Sequence, residues 1–89
     1  MTPIKLILVD DHAVVRSGLR RLLELNKCID VIAEAECGEQ AYQRYGELQS
    51  DIIVMDISMG MDGLESARRI IKRYPEAKII IFSMHAYKN

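Results

Sequence analysis

Carboxylates that close apolar runs are the residues of this chain best placed to do chemistry. The run Asp51-Ile52-Ile53-Val54-Met55 ends in Asp56, and Ile4-Lys5-Leu6-Ile7-Leu8-Val9 ends in Asp10-Asp11. A third run, Lys78-Ile79-Ile80-Ile81-Phe82, ends in the hydroxyl of Ser83. Short β-branched runs separated by helix-length segments read as buried parallel strands. Parallel strands send their C-terminal ends the same way, so Asp10, Asp11, Asp56 and Ser83 are expected at one rim. That rim is where open α/β sheets bind ligands. Carboxylates gathered there repel one another unless a divalent cation binds among them. Magnesium suits such a place, because it takes hard oxygen ligands, keeps several waters and bridges to phosphate oxygens. With that charge neutralised, an aspartate nucleophile and an incoming phosphoryl group can meet.

Each acid taken alone has a plainer reading. An aspartate at a strand end often forms a turn or caps the next helix, and Asp10 or Asp11 would serve in that way for the first helix. Their coincidence at separate strand ends favours the functional reading.

The elements that must position these residues follow from periodicity. A first helix is expected from about Ala13 to Leu25, with Val15, Leu19, Leu22 and Leu23 inward and Arg16, Arg20, Arg21 and Glu24 on the other face. Gly18 falls on the apolar side, where a small residue permits close approach to the sheet. Val31 to Ala35 reads as a second strand, and Gly38 to about Leu48 as a helix with Ala41, Tyr45 and Leu48 inward. Asp62-Gly63 opens a third helix with Leu64, Ala67, Ile70, Ile71 and Tyr74 as its stripe. Asp62 and Glu65 have capping-box spacing, and Tyr74-Pro75 ends the helix. The fourth strand ends near Met84. The alternation β-α-β-α-β-α-β implies right-handed crossovers and a doubly wound parallel sheet with helices on both faces.

Composition sets the outer bounds. Eighty-nine residues suffice for one small domain, and 49% hydrophobic with 28% charged residues fits a globular chain. A net charge of -1 gives no support to a nucleic-acid-coating surface. No apolar run reaches membrane-spanning length, and Met1-Thr2-Pro3-Ile4-Lys5 lacks the long apolar region of a signal peptide, so a cytoplasmic location is expected. Cys28 and Cys37 lie nine apart without a second ligand pair, which reads as ordinary reduced thiols. His12 and His85 read as partly exposed residues. The basic residues Arg16, Arg20, Arg21, Arg68, Arg69, Lys72 and Arg73 read as solvated helix faces balanced by glutamates. Met55, Met59, Met61 and Met84 are expected to fill or flank the core.

Four segments together carry a family resemblance: Leu8-Val9-Asp10-Asp11-His12, Asp51 to Asp56, Met61-Asp62-Gly63-Leu64-Glu65, and Ile80-Ile81-Phe82-Ser83-Met84-His85. From about Pro3 to His85 the chain resembles the receiver domain of bacterial two-component response regulators, in the style of those joined to LuxR/FixJ/NarL-type transcription factors. The resemblance implies an α/β, flavodoxin-like doubly wound sheet, here with about four strands and three helices. It implies that Asp56 is the phospho-acceptor for a sensor histidine kinase, and that Asp10, Asp11, Asp56 and the backbone carbonyl of Ser58 hold Mg2+. Ser83 matches the hydroxyl that contacts the phosphoryl group and moves on activation. DNA would be met only through an output domain outside these residues.

Two departures from the family pattern stand out. Members commonly carry Met-Pro-Gly-Met after the acceptor, whereas Met59-Gly60-Met61-Asp62-Gly63 is one residue shorter and has no proline. A complete receiver also continues through a fourth helix, a fifth strand opened by a phosphoryl-contacting lysine, and a fifth helix. Lys88 stands too near Ser83 to match that lysine. Residues 1–89 therefore read as the N-terminal part of one receiver domain, with a first helix alone on its face and an open fourth strand. A homo-oligomer formed through that face or edge is expected, and a self-associating fragment with weakened phosphorylation is the alternative reading. Turnover as an aspartate-nucleophile phosphatase is not expected, because Asp10-Asp11-His12-Ala13 lacks Asp-x-Asp spacing.

Overall fold

The structure, a computed structural model, describes residues 2–59 and 61–83, with the side chains of residues 59, 61 and 62 outside that description. The expectations placed on the side chains of Met59, Met61 and Asp62, and on Met84, His85 and Lys88, thus lie outside the described residues. β1 (Ile4–Val9), β2 (Ile29–Ala35), β3 (Ile52–Asp56) and β4 (Ile79–Phe82) alternate with α1 (Ala13–Glu24), α2 (Gly38–Leu48) and α3 (Met61–Arg73). A single 3-10 turn, Ile57–Met59, leads from β3 toward α3. β2 starts two residues before the expected Val31, since Ile29 and Asp30 already pair with Ile4 and Lys5. α3 starts at Met61, so Asp62 stands inside its first turn and not before it.

All strand pairs are parallel and the order is β2-β1-β3-β4, the doubly wound, flavodoxin-like arrangement. The period of two along β1 divides the core between the two faces. Leu6 and Leu8 face α1, where they pack with Val31, Leu19, Leu23, Ile29 and Val54. Ile7 and Val9 face α2 and α3, packing with Ala41, Tyr45, Ile53, Met55, Ala67 and Ile70. Met55 fills this core as expected. Among the described residues α1 covers its face alone.

Helix orientation departs from the sequence reading in three places. In α1, Leu22 is 65% exposed, and nothing lies within 4 Å of where a Cβ on Gly18 would stand. From α1 the apolar cluster on this face takes Leu19 and Leu23, and Leu22 turns past it into solvent. In α2, Leu48 is exposed because it ends the helix beyond the apolar cluster. In α3, Leu64 and Ile71 are exposed while Gly63 and Ser66 are buried beside Ala67 and Ile70. Small side chains there bring α3 close, turning its larger apolar residues toward its flank.

The seam between α2 and α3 is aromatic. Tyr74 meets Tyr45 edge-on at 5.1 Å between ring centroids, and its hydroxyl lies only 2.7 Å from where a Cβ on Gly46 would stand. An alanine in a helix interior is favoured over glycine by about 1 kcal/mol. Gly46→Ala alone is therefore expected to lose that gain to the clash, while in a Tyr74→Phe background it stabilises by up to about 1 kcal/mol. Urea denaturation of the two single variants and the double variant measures this coupling; additive effects would contradict the contact.

Candidate acidic site at the sheet rim

Strand register builds the site. Val9 pairs with Met55 across β1 and β3, so Asp10 and Asp56 follow side by side. This is the topological switch point, where the chain leaves β1 through α1 for one face and β3 through α3 for the other. Asp56 in turn pairs with Phe82, which sets Ser83 one step farther along the same rim, half-buried. Asp10 and Asp56 are both 0% exposed, whereas Asp11 faces solvent. Ligand atoms of Asp10, Asp11, His12 and Asp56 all lie within 4.8 Å of one another.

Short local bonds fix most of these oxygens. Asp10 Oδ1 accepts from the His12 backbone N–H at 2.8 Å, and the His12 ring Nδ1 stands 2.8 Å from Asp11 Oδ1. The His12 side chain is about half exposed, as the sequence suggested. Asp56 Oδ1 accepts from the Ser58 N–H at 2.8 Å, and Asp56 Oδ2 accepts from the Ser58 hydroxyl at 2.7 Å. Ser58 thus meets the acceptor candidate through its N–H and hydroxyl, from within the 3-10 turn Ile57–Met59. One oxygen is left over. Asp10 Oδ2 is buried and has no hydrogen-bond partner among the described residues. A buried acceptor in that state normally costs about 1–3 kcal/mol, so it asks for an explanation. Hard carboxylate oxygens from Asp10, Asp11 and Asp56 are the donor set that Mg2+ takes, and the acidic pocket fits such an ion.

Sequence reasoning missed what stands behind Asp10. Arg16 and Arg20 were expected in solvent, yet both turn inward onto Glu34. Arg16 Nε donates to Glu34 Oε1 at 2.7 Å, and Arg20 Nη1 donates to Glu34 Oε2 at 2.6 Å. Arg16 Nη1 also donates to the Asp10 carbonyl at 2.6 Å, and Arg20 Nη2 to the Val31 carbonyl at 3.1 Å. The signal lay in Glu34 itself, a part-buried charge between Ala33 and Ala35 near the end of β2, which calls for a cationic partner. Hydrogen bonds from Arg20 and then Arg16 hold its carboxyl below the usual glutamate range, against the opposing effect of burial. Arg20 is raised in return, chiefly by its hydrogen bond to Glu34. On α3, Arg68 and Arg69 do follow the expected pattern, with exposed pairs to Glu65 and Glu39. No helix among the described residues is long and apolar enough to cross a membrane.

Known proteins resemble this chain in sequence and fold. The family model for the response regulator receiver domain matches residues 6–89. The chain is 45% identical over 83 residues to the response regulator UvrY of Escherichia coli K12, covering 92% of this chain and 38% of that protein. It is 40% identical over 83 residues to the oxygen regulatory protein NreC of Staphylococcus haemolyticus, covering 91% of this chain and again 38% of the relative. The chain therefore spans well under half the length of these relatives. Among solved structures, a LuxR-family two-component response regulator from Aurantimonas sp. SI85-9A1 superposes with a TM-score of 0.88 at 41% identity, over 94% of this chain and 61% of that one. The isolated REC domain of RcsB from Salmonella enterica serovar Typhimurium, solved with phosphomimetic BeF3-, superposes at 0.84 and 26% identity, over 96% and 64%.

The Glu34 clamp gives the fold a pH signature. A carboxyl whose folded pKa is depressed contributes stability that is present above its unfolded value, about 4.3, and lost as pH falls through the folded value. Glu34→Gln is expected to lower the thermal midpoint at pH 7, with the difference from the native chain shrinking once the pH drops below about 4. Calorimetric or circular-dichroism melts from pH 7 to acid check this. A difference that is constant with pH would remove the clamp's ionic contribution.

Proposed function

The chain belongs to the response regulator receiver domain family, and on that premise we propose that Asp56 accepts a phosphoryl group from the phosphohistidine of a sensor histidine kinase. The observation that carries this reading is Asp10 Oδ2 in the acidic cluster with Asp56, buried and without a hydrogen-bond partner among the described residues, which supports a cation there. Asp10, Asp11 and Asp56, with the Ser58 carbonyl, would hold Mg2+, which when bound neutralises carboxylate and phosphoryl charge. A carboxylate nucleophile at neutral pH has no proton to lose, so what it needs is positioning and charge neutralisation more than a general base. One Asp56 oxygen forms the new O–P bond as the P–N bond of the phosphohistidine breaks. The products are an aspartyl phosphate here and a histidine returned to the kinase.

The geometry adds a requirement for this step. Both Asp56 oxygens are engaged by Ser58, so the attacking oxygen must first shed one of those bonds. The hydroxyl bond to Oδ2 is the one a simple side-chain rotation releases. Ser83, at the same rim, is the hydroxyl that would then be drawn to the phosphoryl oxygens. The protein acts as a stoichiometric acceptor and not as a turnover enzyme. We place it in the cytoplasm, as the signal-receiving module of a transcription regulator. Its contact with DNA would come from a further domain; RcsB from Salmonella enterica serovar Typhimurium, which this chain resembles at 26% identity, has been solved bound to the promoter rprA.

Incubation with Mg2+ and acetyl phosphate, followed by intact mass, is expected to show a gain of one phosphoryl group that vanishes in Asp56→Asn. Uptake that persists in that variant, or no uptake and no response to beryllofluoride in the native chain, would sink the assignment. A second expectation concerns assembly. β4 ends the sheet among the described residues, with Ile80 53% exposed and Ile81 also exposed, a surface suited to self-association. Sedimentation is expected to show a dimer or larger species that Ile80→Lys disperses; a well-folded monomer at micromolar concentration would remove that part.

A further inference from the structure

We infer that Arg16, held by Glu34, is a positioning residue for the divalent-cation site, acting through the Asp10 carbonyl without touching the ion. This rests on the acceptor reading above and extends it to a residue on α1.

The argument begins with where β1 ends. Val9 is its last paired residue, and beyond it the Asp10 carbonyl has left the ladder that fixes its predecessors. The Asp10 N–H still reaches the Ala35 carbonyl at 3.0 Å. Its carbonyl is held by Arg16 Nη1 at 2.6 Å, and its side chain by the His12 N–H at 2.8 Å. Without the Arg16 bond, the Asp10–Asp11 peptide could rotate. Such a rotation would re-aim both carboxylates, since one lies on each side of that peptide. Arg16 is itself fixed. Its side chain is 13% exposed, its Nε is bonded to Glu34, and its backbone N–H caps back to the His12 carbonyl at 2.8 Å.

Charge matters as much as geometry here. A guanidinium this near the cluster would oppose a dication, and the ion pair with Glu34 at 2.7 Å offsets that charge. Glu34 therefore anchors the fork of Arg16 and neutralises it. Arg20 supplies an internal comparison: it bonds the same Glu34, but its other backbone contact is Val31 and not Asp10. If the clamp merely stiffened the domain, the two arginines would be equivalent for cation binding.

The test measures Mn2+ affinity by electron paramagnetic resonance of the free ion, at a temperature where each variant is folded by circular dichroism. Removing a group that orients metal ligands from behind typically costs 10–100-fold in affinity. Arg16→Met is expected to weaken Mn2+ binding by about tenfold or more, whereas Arg20→Met stays within about twofold of the native chain. Arg16→Lys keeps the charge and the stem but cannot span Glu34 and the carbonyl together, so it is expected to lose affinity severalfold. It keeps the test decisive if Arg16→Met does not fold. Equal losses for Arg16→Met and Arg20→Met, or native affinity in Arg16→Lys and Arg16→Met, overturn the inference while leaving the acceptor reading standing. A native chain that binds no Mn2+ overturns both.

Discussion

The placement of Asp10 beside Asp56, two fully buried carboxylates on adjacent strand ends, is the constraint on which the rest of the structure turns. A register slip of one residue between β1 and β3 would separate them and would also turn Ile53, Val54 and Met55 to the wrong faces relative to Leu6, Ile7 and Leu8. The apolar pattern and the acidic pair therefore enforce the same alignment. Burial brings like charges together where they are least screened. The chain answers this locally, through the N–H groups of His12 and Ser58 and the Ser58 hydroxyl, and among the described residues leaves Asp10 Oδ2 without a partner. A fold optimised for stability alone would not keep that oxygen, and retaining it is consistent with a site whose balance is completed by a bound cation.

Much of this was legible in the sequence. The strands announced themselves because their apolar runs are short, β-branched and closed by acids, and β1 was read to the residue. Asp10, Asp11, Asp56 and Ser83 were placed at one rim by the direction of parallel strands alone. What escaped was orientation about a helix axis. Leu64 and Ile71 looked like core by size, but Gly63 and Ser66 face inward because close approach rewards small side chains. Gly18 looked like such a contact and is not one. Periodicity names a face to within a few tens of degrees, and the packing partner decides within it.

Arg16 and Arg20 escaped for a different reason. Hydropathy treats arginine as a solvent residue, yet its long stem and planar fork let it lie along a protein surface and satisfy a half-buried carboxylate. Glu34, between two alanines near the end of β2, was the visible clue, and reading a strand charge as a demand for a partner would have found the clamp.

The two faces of the sheet are held by different physics, and this bears on the site. α2 and α3 grip theirs with Ala41, Tyr45, Ala67 and Ile70 in a continuous apolar cluster. α1 has no fully buried residue, and its hold on the sheet is shared between a few half-buried leucines and the Arg16–Glu34–Arg20 clamp. Partly buried ion pairs gain less from association than apolar packing does, because desolvation offsets much of their attraction. The helix that backs the Asp10 carbonyl is thus the one least secured by hydrophobic burial. Its polar clamp does more for geometry than for stability: charged forks fix direction and distance where apolar contacts fix only proximity. That is the property a cation site assembled from consecutive acids at a strand end requires.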